Sequence, residues 1–139
     1  MKKFFLLILI FILPIIFLTA CSQVNNDQKE TVENVEKIEI VYFYSNQRCV
    51  FCKNMEKFLE NAYEKIKRDK LQLKKINYDD KENKELVEKF SARNLGLYFN
   101  IISDNENIIK EDVSVWRYLN DQDEFTDYLE KKTKQWLDN

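Results

Sequence analysis

The sequence predicts an α/β fold, a central mixed sheet of about four strands flanked by helices in three layers. Three observations carry that prediction. Apolar runs rich in β-branched and aromatic residues alternate with segments of helical periodicity. The run Ile38–Tyr44 is too apolar for a sheet edge and reads as a buried central strand. Two cysteines, Cys49 and Cys52, stand where that strand gives way to the first helix.

The chain opens with Met1-Lys2-Lys3, then an apolar run from Phe4 to Leu18 broken only by Pro14, then Thr19-Ala20-Cys21. A basic start, a short apolar core and small residues at its end are the layout of a secretory signal. A spanning helix needs about 20 apolar residues, and this run is shorter and carries a proline. Leu18-Thr19-Ala20-Cys21 resembles the lipobox of bacterial lipoproteins. The resemblance implies cleavage before Cys21 and lipid on its sulfur, with residues 1–20 as signal peptide. Several acyl chains on one residue suffice for stable attachment to the bacterial cytoplasmic membrane. The alternative is an uncleaved anchor helix. Either reading places the remaining domain on the extracytoplasmic face.

Residues 21–36 are polar and without clear apolar periodicity, and they read as the lipidated N-terminus and a flexible tether. The domain then runs over 37–139. After the cysteines, Met55, Phe58, Leu59, Ala62, Tyr63 and Ile66 recur at helical spacing. Leu71–Asp79 reads as a second strand, and Asp80–Phe90 as a helix with Leu86, Val87 and Phe90 inward. Leu97–Ile102 and Ile108–Val115 read as two strands joined by the turn-forming residues Asp104–Asn107. Asp121 or Asn120 caps a final helix, with Glu124 completing a capping-box-like start and Phe125, Tyr128, Leu129 and Trp136 as its buried stripe.

Composition excludes several function classes. The 139 residues include no histidine, which removes His-based acid/base catalysis, Cys-His proteolysis and most zinc arrangements. Cleavage would delete Lys2 and Lys3 from 22 basic residues, leaving 20 against 24 acidic ones, a net charge of −4. Nucleic acid is not an expected partner of such a surface. Gly96 is the sole glycine, so a Gly-rich nucleotide loop is absent and no cofactor is expected. With Cys21 lipidated, only two of the three cysteines remain as thiols, too few for a disulfide framework. The domain reads as a monomer.

Several uses of Cys49 and Cys52 stand open. As a staple the pair closes almost no loop, so its effect on the unfolded chain is small. As a redox pair it has a mechanism. Unpaired N–H groups and the macrodipole at a helix start favour a thiolate on the first cysteine, and Arg48 adds positive charge beside it. Cys49 then serves as nucleophile, with Cys52 resolving the mixed disulfide formed with a protein redox partner. As a metal site, the two thiolates suit a soft ion such as Cu(I). A domain that only recognises partners through its groove is the remaining alternative.

A C-x-x-C beside this α/β pattern resembles the thioredoxin-like fold over roughly 37–139. That resemblance implies an exchange-active disulfide, usually attended by a cis-proline and a buried acid. Here Val50-Phe51 replaces the usual Gly-Pro, Leu95 or Gly96 falls where the cis-proline would sit, and Phe43 lies at the acid's place. A narrower likeness rests on Arg48-Cys49-x-x-Cys52, Asn77–Asp80, Leu95-Gly96-Leu97 and Trp116 followed by Asn120 and Phe125. These features resemble small bacterial thioredoxin-like proteins known as a nitrophenyl-compound nitroreductase subunit (the ArsF family). The likeness implies association with electron transfer to nitroaromatics, in which this chain's own residues support a thiol carrier passing electrons to a partner.

Overall fold

Residues 32, 34–47, 49–104 and 106–138 are described in a computed structural model of the protein. The chain divides into two units, Met1–Glu30 and Thr31–Asn139, and the described residues lie in the second. The signal at 1–20, Cys21 and most of the tether lie outside the described residues, as does Arg48.

Four strands build one mixed sheet: β1 (Val35–Tyr44), β2 (Leu71–Asn77), β3 (Gly96–Ser103) and β4 (Asn107–Glu111). Their order is β2-β1-β3-β4. β2 runs parallel to β1, while β3 is antiparallel to both β1 and β4. β1 is therefore central, as its apolar composition predicts. It starts at Val35, before the predicted Ile38, and Val32 is already buried, so the end of the predicted tether joins the core.

Alternation along β1 divides its side chains between two cores. Ile38, Ile40 and Tyr42 pack with helix α1 (Val50–Ile66) and helix α3 (Gln122–Leu137), and Val41 and Phe43 point to the other face. In α1 the buried residues Cys52, Met55, Leu59, Ala62 and Ile66 follow one another at intervals of three and four. That spacing makes a single apolar stripe among strong helix formers. The helix ends where Lys67 turns to ψ 138° and its N–H closes on the Tyr63 carbonyl. α3 completes the layer with Phe125, Leu129 and Trp136, Phe125 lying edge-on to Phe58 at 5.8 Å. Each fully buried side chain of this size contributes about 1.5–3 kcal/mol. The Asp121 cap forms as predicted, its carboxylate accepting from the N–H groups of Asp123 and Glu124 at 2.8 and 3.0 Å.

Two predicted elements differ. The helix expected over Asp80–Phe90 is a 3-10 turn at Lys81–Asn83 followed by a short α2 (Lys84–Lys89). This break changes the helical phase. Phe90 is buried and Val87 half-buried, but Leu86 is 40 % exposed instead of facing inward. The strand expected to reach Val115 stops at Glu111, because the Asp112 carboxylate accepts from the Ser114 N–H at 2.9 Å and turns the chain into a 3-10 segment, Ser114–Tyr118. Both oxygens of the buried Asp112 also accept from the Tyr128 hydroxyl, at 2.8 and 2.7 Å. Burial, together with the Asp112 carboxylate, holds that hydroxyl protonated far above the usual tyrosine range.

The second sheet face is apolar at one end only. There Phe43, Phe90 and Tyr98 meet with ring centroids 5.4 to 5.9 Å apart under α2. Toward the start of β1 the face opens into a cleft of about 230 Å³ lined by Glu39, Lys74, Lys89, Asn100 and apolar neighbours. Glu39 is buried and accepts from Lys37 at 2.9 Å, Lys74 at 2.8 Å and Asn100 at 3.0 Å. Burial pushes its pKa up, but those hydrogen bonds and the Lys74 charge outweigh it and hold the carboxyl at about 2.

Candidate active site

The chain leaves β1 at Tyr44 and crosses the end of the sheet to reach Cys49. Parallel pairing places Tyr44 opposite Asn77, so the loops that follow β1 and β2 lie side by side. Their side chains lock together. The Asp79 carboxylate accepts from the Ser45 hydroxyl at 3.0 Å and from the Asn46 N–H at 2.8 Å. Ser45 Oγ in turn accepts from the Gln47 N–H at 3.0 Å, and Asn77 Nδ2 donates to Asn46 Oδ1 at 2.8 Å. The turn Ser45–Gln47 is thus braced from the neighbouring strand just before the cysteine pair.

Cys49 and Cys52 are joined as a disulfide with Cα atoms 5.1 Å apart. Their environments differ sharply. Cys49 is exposed and is the N-cap of α1, with its Sγ accepting from the Cys52 N–H at 3.2 Å. Cys52 is 2 % exposed. The first turn of α1 holds no acidic residue, so the positive end of the helix acts on Cys49 without local opposition. Of the predicted site residues, the structure brings Cys49 and Cys52 together at the sheet end that also holds Gly96.

Gly96 opens β3 opposite Phe43, and no described peptide bond is cis. Where a cis-proline was the family expectation, a side chain is excluded by packing. A Cβ on Gly96 would lie 2.9 Å from Cε2 of Tyr98. That ring cannot step aside easily, since it is buried edge-on between Phe43 and Phe90. Gly96→Ala is expected to cost about 1–3 kcal/mol, read as a lower urea midpoint at unchanged slope; a variant as stable as the parent would contradict the packing argument.

Phe43 occupies the place expected for a buried acid and is part of this apolar cluster. The buried acid of β1 is Glu39, four residues earlier and about 13 Å back along the strand. It does not serve the cysteines. Among the described residues, the hydroxyl of the fully buried Tyr42 does reach the pair's backbone, donating to the Cys52 carbonyl at 3.2 Å. Sequence reasoning placed Tyr42 in the strand without a site role, and it assigned no task to Ser45, Asn77 or Asp79. Beside the disulfide, Val50 and Phe51 are 73 % and 64 % exposed. Val113, 66 % exposed, follows Asp112, whose N–H bonds the Leu97 carbonyl at this same end of the sheet.

Comparison with known proteins agrees with the architecture. The AhpC/TSA family model matches residues 17–132. No curated protein matches the chain. Among solved structures, the Trx4 domain of ERdj5 is similar at 16 % identity over 73 % of this chain and 87 % of that one, with a TM-score of 0.51. The germline-specific thioredoxin Deadhead (Thioredoxin-1) of Drosophila melanogaster is 24 % identical over 69 % of this chain and 81 % of its own, with a TM-score of 0.48. Trxlp from Edwardsiella tarda EIB202 is 17 % identical over 68 % and 82 %, with a TM-score of 0.49. The sheet order, the disulfide at the strand-to-helix junction and the likeness to the ERdj5 domain define a thioredoxin-like fold, and by the family match across most of its length the chain belongs to the AhpC/TSA family.

Proposed function

We propose that the protein carries out thiol–disulfide exchange with a protein partner, tethered by lipid on Cys21 to the extracytoplasmic face of the cell membrane. The observation that carries the exchange reading is the asymmetry of the pair: an exposed Cys49 at a helix N-terminus beside a buried Cys52. The tether rests on the signal-like segment Met1–Ala20 and the lipobox-like residues ending at Cys21.

In the oxidising direction a partner thiolate attacks Cys49 Sγ. The bond to Cys52 breaks, its electron pair stays on Cys52 Sγ, and that thiolate takes a proton released by the partner dithiol. The partner's second thiolate then attacks the partner sulfur of the mixed disulfide and releases the Cys49 thiolate. Two electrons pass from the partner, which leaves as a disulfide, to Cys49 and Cys52. The same steps reversed reduce a partner disulfide. The exposed apolar side chains of Val50 and Phe51, which follow Cys49 in the chain, offer the partner an apolar contact beside the reacting sulfur. The bonded Cys49–Cys52 pair supports the exchange reading. Among the described residues no cluster of three or more Cys, Asp or Glu adds further metal ligands.

Equilibration of the purified full chain in glutathione buffers of graded ratio tests the reading. The expected result is two thiols appearing together, reversibly, at one midpoint. Thiols that stay fixed across the series would overturn it. The mass of the membrane-extracted protein tests the tether: a chain beginning at Cys21 with acyl groups is expected, and an unprocessed Met1 terminus would contradict it.

A further inference from the structure

We propose that Tyr42 is the positioning residue that receives the Cys52 sulfur when the disulfide opens, by donating its hydroxyl hydrogen to that sulfur. The inference rests on the exchange reading above and adds to it the group that handles the buried half of the pair. When the Cys49–Cys52 bond breaks, charge develops on the sulfur of Cys52, a residue only 2 % exposed. An unsolvated thiolate is costly there. Among the described residues, Phe43 and its apolar cluster lie on the opposite sheet face, and Glu39 lies too far down β1.

Tyr42 is different. Its ring is fully buried beneath the first turn of α1, held opposite Leu97 of β3 and Lys75 of β2, and its hydroxyl already touches residue 52 through the carbonyl at 3.2 Å. That carbonyl lies at the start of α1, where the helix ladder can satisfy it without the tyrosine. In the disulfide the Cys52 sulfur is tied to Cys49. Reduction frees rotation about its Cα–Cβ bond, and the sulfur is only four bonds from the oxygen that the hydroxyl contacts. The O–H then turns from carbonyl to sulfur. The hydroxyl thereby strengthens the reduced state more than the oxidised one. No proton has to leave the tyrosine; it donates a hydrogen bond while the proton that neutralises Cys52 comes from the partner dithiol.

The test is the glutathione equilibrium of Tyr42→Phe against the parent, with urea unfolding of both in oxidised and reduced forms. A hydrogen bond to a charged or partly charged sulfur corresponds to about a tenfold shift of the equilibrium toward the disulfide, about 30 mV for this two-electron couple. The reduced form should lose more stability than the oxidised form by the same factor. A shift below twofold, with equal losses in both forms, would overturn the proposal and leave Tyr42 a packing residue. Should the phenylalanine variant fail to fold, 3-fluorotyrosine at position 42 alone keeps the ring and makes the hydroxyl a stronger donor. It should move the equilibrium toward the dithiol, and no movement or the opposite one counts against the proposal. A parent disulfide that does not titrate overturns the exchange reading itself, whereas an unchanged variant beside a titrating parent overturns only the role of Tyr42.

Discussion

Cys52→Ser converts the protein into a covalent trap, and Cys49→Ser silences it. In the first variant Cys49 still attacks a partner disulfide, but the resolving thiol is gone. Intramolecular attack by a neighbouring group acts at effective concentrations far above any solution thiol. Its loss should lengthen the mixed disulfide's life by orders of magnitude. The adduct should accumulate on non-reducing gels and vanish with dithiothreitol. In the second variant the remaining thiol is buried at 2 % exposure and cannot be reached. No adduct should form and exchange should stop entirely. The asymmetry is the informative part, because a structural staple would make the two substitutions equivalent. Equal adduct yields from both variants would contradict the division of roles between the exposed and the buried cysteine.

The second large effect lies on the far half of the sheet. Glu39 is buried with three donors, and its carboxyl is held at about 2 against an ordinary 4.5. A depressed folded-state pKa stabilises the fold at pH values above 4.5, and that stabilisation is lost as pH falls toward 2. Its size is on the order of 2–3 kcal/mol, after discounting for the water that reaches Lys37 and Lys74. Urea unfolding from pH 7 down to pH 2.5 should show a loss of this order in the parent. Glu39→Gln should flatten that part of the curve while leaving the glutathione equilibrium of the cysteines unchanged, since about 13 Å of strand separates the two sites. Parallel stability curves for parent and variant would rule out the network as the source of acid sensitivity.

Local pattern carried most of the fold. Ile38–Tyr44 announced a central strand because, Glu39 apart, it is β-branched or aromatic on both faces, and Asp121 announced its helix because an N-cap is chemistry of adjacent residues. The cysteine pair was legible for the same reason: three residues at a helix start lie within one turn. What stayed hidden depends on distant pairing. Asp79 meets Ser45 and Asn46 only because β1 and β2 are parallel neighbours, and Glu39 meets Asn100 only across β3. One signal was available, since an acid inside a strand that otherwise reads as wholly buried requires donors from elsewhere. The early end of β4 is a local competition that strand propensity misses, as Asp112 withdraws its neighbours from the ladder. Tyr42 gave no sign at all, because a buried tyrosine reads as packing until the position of its hydroxyl is known.

The most direct measurement is the pH dependence of alkylation of the reduced protein, followed at each cysteine by mass spectrometry. A Cys49 thiolate stabilised by the start of α1 and the Cys52 N–H should react with iodoacetamide at an apparent pKa below the free-cysteine value of about 8.5, and faster than Cys52 at every pH. A Cys49 that titrates at about 8.5 or above, or that reacts no faster than the buried Cys52, would contradict the account.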